Sequence, residues 1–303
     1  MPYLILLLFA TLNASNTFFN KKFQQTFIET PVNFTRHMFY ISVLATFFLW
    51  VFNGFKITLN APTLIFAVIY AIIIIISLPL NLIVLNYAPV SLVTITQMAG
   101  SVVISSLFSF AFLDTPLSLP TVISIILMVI TVILPHLKKE ENTSQSSQKP
   151  KQKLTVLGLI LCAVLFVWSG VIAIAVKLYT QTPGVADSNS WLAVCNAIIA
   201  LVALAALSFV AVFKKENKAE VFRPFAVKPM LYLLAYTSVS GISAPLSVYA
   251  LSLFPLPVYT VITSSLGIIF AFLMSLLLFK EKTNKLQIIS AITALVAIVV
   301  SVL

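Results

Sequence analysis

The sequence predicts an all-α integral membrane protein: ten transmembrane helices arranged as two inverted five-helix repeats. Three observations carry that expectation. The composition is too apolar for a soluble core, the basic residues fall on one side, and the second half of the chain repeats the first. Of 303 residues, 60% are hydrophobic and 9% charged, and the mean hydropathy is +1.09. Soluble domains carry about 25% charged residues. In hydrocarbon every backbone N–H and C=O needs a partner within the protein, so spanning segments are helices or closed barrels. Barrel strands alternate apolar and polar residues. The runs here are continuous instead, as in TLIFAVIYAIIIIISLPL over 63–80, and that pattern means helix.

Hydropathy places spans near 3–20, 33–53, 62–85, 90–112, 118–135, 154–178, 189–213, 228–252, 256–279 and 285–302. Each approaches the roughly 20 residues that cross about 30 Å of hydrocarbon. The first is read as a helix and not as a cleaved signal, because Lys21-Lys22 follow the apolar run and no Lys or Arg precedes it. A signal peptide has the opposite polarity. The stretch HLKKEENTSQSSQKPKQK, 136–153, is rich in Lys, Ser and Gln and lacks aromatics, the composition of a flexible linker. The expected organisation is a first repeat over 1–137, a cytoplasmic linker over 138–153 and a second repeat over 154–303. Cys162 and Cys195 fall at different depths of successive spans, so two free thiols are expected.

A net charge of +10 could suggest nucleic acid as a partner, but its placement points to membrane topology. Sixteen of the 18 Lys and Arg residues lie in the loops after the first, third, fifth, seventh and ninth spans, and only Lys56 and Lys177 lie on the other side. The basic side is cytoplasmic by the positive-inside rule, which puts both termini outside. The expected setting is a plasma membrane, with the lipid bilayer and a small-molecule substrate as partners, no nucleic acid, and a monomer as the simplest assembly.

With a shift of 166 residues the halves align without a gap: Tyr70 on Tyr236, Ser77 on Ser243, Pro79 on Pro245, Pro89 on Pro255, Thr94 on Thr260, Ser109 on Ser275 and Ser124 on Ser290. Five spans is an odd number, so the second copy enters from the opposite face. An inverted repeat lets a transporter alternate between two mirror-related open states, and secondary transport is the function expected. Ser101, Ser105 and Ser109 recur at i, i+4, i+8 on the fourth span, with Gly267, Ala271 and Ser275 as counterparts on the ninth. Small residues so spaced let helix backbones approach closely in lipid, so these two spans are expected to pack together.

The chain resembles the drug/metabolite transporter superfamily in its ten-helix EamA-type form. NASNTFFNK (13–21) keeps Asn16 and Lys21 at the spacing of that family's first-helix motif, W-G-x-N-F-x-x-x-K, with Asn13 where Trp is usual. WSGVIAIAVK (168–177) is similar through Trp168, Gly170 and Lys177, and LFKEKTNKLQIISAITALVAIV (278–299) through Glu281 and Gln287. The first-half copy of that last motif has Thr115 in place of the acid, and only 7 glycines occur in the chain where the family is rich in them. The resemblance implies a cavity lined by the first, third, fourth, sixth, eighth and ninth spans. It also makes Lys177 the counterpart of Lys21, one of which an inverted repeat sends to the outer side.

Candidate binding residues are polar groups on those spans. Asn13, Asn16 and Asn20 share one face of the first, where they serve either as substrate hydrogen-bonding groups or as interhelical glue. Gln97, with Thr94 and Ser101, marks the fourth span; Thr263 and Ser264, with Tyr259 a turn away, mark the ninth; Trp168 and Ser169 mark the sixth. Asn81 and Ser247 are repeat partners, each two residues past Pro79 or Pro245. Those prolines remove a helix hydrogen bond and are read as gating elements. All eight acids, Glu29, Asp114, Glu140, Glu141, Asp187, Glu216, Glu220 and Glu281, map to loops or helix ends. The cavity is therefore expected to be neutral and suited to an uncharged or zwitterionic metabolite such as an amino acid or sugar. A multidrug or cationic-compound exporter of the same superfamily is the alternative, with a channel or receptor behind it. His37 is the one titrating group close to a span. The sequence has no HExxH, GxSxG or CxxC and no aspartate at mid-span, so no enzyme, metal or cofactor is expected.

Overall fold

Ten helices follow one another in the computed structural model, which describes residues 2–27, 30–87, 90–115, 118–134, 156–213, 221–277 and 285–302. They are α1 Pro2–Phe27, α2 Pro31–Phe52, α3 Ala61–Tyr87, α4 Val90–Phe112, α5 Leu119–Ile133, α6 Val156–Gln181, α7 Ser188–Phe213, α8 Val227–Leu253, α9 Leu256–Leu277 and α10 Lys285–Val302. No strand occurs among the described residues. The linker expected over 138–153 lies outside them. Local chemistry sets the ends. Thr30 and Ser118 accept from the backbone N–H groups of Asn33 and Thr121, with a proline in the first turn of each helix. After α2 the chain turns through Gly54 and Phe55 at φ of 63° and 61°.

Helices α2, α3, α6, α7 and α8 are long and apolar enough to cross a membrane, which fits a membrane protein. Helix starts also recur: α3, α4 and α5 begin at 61, 90 and 119, and α8, α9 and α10 at 227, 256 and 285. Each of these three pairs differs by 166, and α3 and α8 are both 27 residues long. However, α1 and α6 begin at 2 and 156, and α2 and α7 at 31 and 188, so the expected gap-free alignment of the halves holds only for the last three helices of each.

Sorting of side chains runs opposite to that of a soluble helix. Along α3 the bulky residues Leu64, Ile65, Val68, Ile69, Ile72 and Ile76 are exposed, while the small Thr63, Ala67 and Ala71 are fully buried. Against lipid tails an isoleucine gains little by turning inward, so the inner face is chosen for close backbone approach.

The described chain forms two compact units, and each draws on both halves of the sequence. The first comprises Tyr3–Ile72 and Leu178–Ala250. In it α2 packs along α7, and a Cβ placed on Gly241 of α8 would lie 3.3 Å from Phe48 and Phe52 of α2. Val221, after α7, is buried with Leu207 and Ala211, and its carbonyl accepts from Arg36 Nε at 3.1 Å.

The second unit comprises Ile73–Lys177 and Leu251–Leu303. The hairpins α4–α5 and α9–α10 pack together there, around Val102, Met128, Val261 and Ala297. Ser290 Oγ donates to the Thr131 carbonyl at 2.7 Å. Helix α6 crosses α4 at paired glycines: a Cβ on Gly100 would come within 2.1 Å of the Phe166 carbonyl oxygen, and one on Gly170 within 2.5 Å of Ile104. Cys162 and Cys195 are buried free thiols.

The glycine expected at a tight crossing was Gly267, yet a Cβ there would meet nothing within 4 Å. The tightest approach at a glycine is at Gly100 and Gly170, where α4 meets α6, while α4 and α9 also pack together without depending on Gly267. Gly100→Ala is expected to destabilise the protein by about 1–3 kcal/mol or more, since a backbone carbonyl cannot rotate away as a side chain can. Gly267→Ala should stay within about 0.5 kcal/mol of wild type. Thermal unfolding of the two purified variants checks the contrast, and equal melting points would refute the crossing.

Candidate functional site

A hydrogen-bonding seam joins α1 and α8 in the first unit. Asn13, Asn16 and Asn20 lie on one face of α1 because 3.6 residues per turn bring i, i+3 and i+7 together. Asn13 is exposed, whereas Asn16, one turn on, is only 7% exposed. Asn16 Nδ2 donates to Ser243 Oγ at 3.0 Å, and Ser243 Oγ in turn donates to the Ser240 carbonyl at 3.4 Å. The Asn16 side-chain oxygen is buried and has no hydrogen-bond partner. Along α8, Tyr236, Ser240, Ser243 and Ser247 recur at i, i+4, i+7 and i+11 and form one polar stripe. Ser243 is buried and the other three are half-buried. Pro245, inside α8, removes the bond its N–H would make to the Gly241 carbonyl.

In the second unit the polar groups of α4, α6 and α9 are engaged mostly with carbonyls of their own helices. Ser105 Oγ donates to Thr260 Oγ1 at 3.3 Å and is also hydrogen-bonded to the Ser101 carbonyl, so α4 and α9 meet through a hydroxyl pair. Ser101 Oγ donates to Met98 O at 3.1 Å, and Ser109 pairs with Thr115 at 2.7 Å. Thr263 Oγ1 donates to the Tyr259 carbonyl at 2.8 Å, and Tyr259 is buried. Gln97 is half-buried. Trp168 Nε1 donates to the Ile73 carbonyl of α3 at 3.2 Å, and Ser169 Oγ to Phe166 O of its own helix at 2.9 Å. Pro79 interrupts the ladder of α3 and is exposed.

The side chains of Asn20, Asn81, Thr94, Ala271, Ser275 and Gln287 lie outside the described residues, as does Glu281. Of the acids, Asp114 and Asp187 are described and both are exposed. No group of three or more His, Cys, Asp or Glu that could hold a metal occurs among the described residues. His37, the titrating group close to a span, is buried within α2.

Two features went unread in the sequence. The first is the role of Lys177, which is 7% exposed. Its ammonium donates to the carbonyls of Leu251 at 2.7 Å and Phe254 at 2.9 Å. These are at the end of α8, where carbonyls lack helical partners and a cation suits the helix dipole. Pro255 after Phe254 signals where α8 stops, but nothing in sequence says which lysine reaches it. The second is a polar latch in the first unit. Ser190 Oγ donates to Asp187 Oδ1 at 2.8 Å and accepts from Thr58 N at 2.9 Å and Asn53 Nδ2 at 3.1 Å. Beside it Tyr179 stacks on fully buried Trp191 with ring centroids 4.0 Å apart, and Tyr179 OH donates to Ala186 O at 2.6 Å.

No family model and no curated protein matches the chain. Solved structures do: 28 chains match, and one of them, described only as "Crystal structure of protein", has a TM-score of 0.69 at 13% identity over 100% of this chain and 98% of its own. The likeness spans both chains end to end, so it concerns the whole fold, and at that identity it concerns the fold alone.

Lys177→Met keeps the aliphatic stem and deletes the ammonium, leaving the Leu251 and Phe254 carbonyls without that donor. The expected loss is about 1–3 kcal/mol, read as a lower melting temperature. A variant as stable as wild type would show the cap to be dispensable.

Proposed function

We propose that the chain is a secondary transporter that moves a small uncharged or zwitterionic metabolite, such as an amino acid or sugar, across a plasma membrane by alternating access. In this reading all ten helices span the bilayer, as two five-helix repeats of opposite orientation with both termini outside. The observation that carries it is the recurrence of helix starts at an offset of 166 residues between α3–α5 and α8–α10, read together with the five spans per copy that this proposal assigns. A duplicated bundle threaded in both directions has two related conformations of similar energy, which is what alternating access requires. An anchor or scaffold has no use for that symmetry.

The neutral character of the substrate follows from the interior. Asn16, Ser105, Ser243 and Thr260 are buried and uncharged, while Asp114 and Asp187 are exposed. A carboxylate at mid-depth, the usual means of attracting a cation or carrying a proton, is not found among the described residues. The resemblance to the EamA-type drug/metabolite transporters supports the same reading.

Orientation is tested first. A tag at the N-terminus and another within 136–153 should label from opposite faces of the membrane, and labelling from one face would remove the inverted repeat. Purified protein in liposomes should then accelerate exchange of a labelled amino acid or sugar when unlabelled compound is trapped inside. Flux without such acceleration would indicate a channel, and exchange confined to lipophilic cations would indicate a cationic-compound exporter.

A further inference from the structure

We infer that the side-chain oxygen of Asn16 is the acceptor for an N–H or O–H group of the transported molecule, an inference that rests on the transport reading above. One hydrogen bond engages the amide: Asn16 Nδ2 donates to Ser243 Oγ at 3.0 Å, and Ser243 Oγ lies 3.4 Å from the Ser240 carbonyl. The NH2 end of the amide therefore faces Ser243. Its oxygen is left buried with no partner in the protein.

A buried acceptor without a donor destabilises the fold that holds it, and in a membrane helix an aliphatic residue would avoid that cost. Ser106 Oγ and Trp191 Nε1 also lack partners, but they belong to α4 and α7, whereas the Asn16 oxygen lies on the polar seam of α1 and α8 and is read as the acceptor for a group that arrives from outside. The approach is polar: Asn13 is exposed one turn before Asn16 on the same face of α1, and Ser240 and Ser247 flank Ser243 on α8. The ligand class is a small molecule with a primary amine, amide or hydroxyl. An uncharged acceptor takes the ammonium of a zwitterion without the ion pair that would hold a simple cation, and it discriminates against analogues in which the donor is methylated. Ser243 is the positioning residue that orients the amide.

The test uses the full-length protein and four probes: glycine, L-threonine and D-galactose, which carry donors, and trimethylglycine, whose nitrogen carries none. Asn16→Leu keeps the branched shape of the side chain and removes the amide, so its ligand-free melting temperature is expected to rise by several degrees. Its exchange of the donor-bearing probes should fall about tenfold or more. Ser243→Ala should raise KM for those probes with little change in kcat, and Ser243→Thr should restore it. A lower ligand-free melting temperature for Asn16→Leu, in a protein that still folds, would make the amide a structural bond and overturn the inference. If Asn16→Leu does not fold, Asn16→Ala decides by exchange, and exchange equal to wild type overturns the inference. Wild-type protein that exchanges the probes as well as Asn16→Leu does would sink the acceptor role alone. Wild-type protein that exchanges none of them would sink the transport reading for these classes, and the inference with it.

Discussion

Hydrocarbon offers no hydrogen bonds and no water to escape from, and the rest of this structure depends on that constraint. A helix in such a solvent satisfies its own backbone but has no hydrophobic reason to join its neighbour. Association has to come from backbone contact and from polar groups that find partners. The protein uses both. Gly100 and Gly170 bring α4 and α6 so close that a single added carbon would overlap a carbonyl oxygen, and Thr63, Ala67 and Ala71 form the buried face of α3.

Polar groups then divide by what they satisfy. Many hydroxyls bond back to their own helix, as Thr263 does to Tyr259 and Ser169 to Phe166, which hides them at no cost in partners. Others join helices: Ser105 to Thr260, Ser290 to Thr131, Trp168 to Ile73. Lys177 completes a helix end. Asn16 differs from all of these in having one end of its amide bound and the other open. Ser106 Oγ and Trp191 Nε1 are also buried without partners, and of these groups Asn16 is the one on the polar seam between α1 and α8.

The all-helical fold was legible because hydropathy responds to the same solvent that shapes the helices, and the expected spans lie within a few residues of α2, α3, α4 and α7. The 166-residue register was legible because prolines and small polar residues stand at positions that matter to both copies. The Asn16 face could be found from helical spacing alone. Pairings between distant segments could not. Nothing in sequence says that Lys177 reaches the end of α8, that Ser190 gathers Thr58 and Asn53, or that Gly100 rather than Gly267 makes the tight crossing. Those depend on how helices are rotated about their axes, which a period of 3.6 residues constrains only to a face. Nor does the order of the chain foretell that each compact unit combines segments from both halves.

The reversed sorting along α3 has a consequence for how such a chain can drift. Outward positions ask only for a greasy side chain, so isoleucine, leucine, valine and phenylalanine are nearly interchangeable there. Inward positions are mostly small, with Ile73 and Val84 the buried exceptions on α3. A fold written in so coarse an alphabet tolerates wholesale respelling, and 13% identity can coexist with a shared architecture over the full length of two chains. Shape in such a protein is better compared through coordinates than through letters.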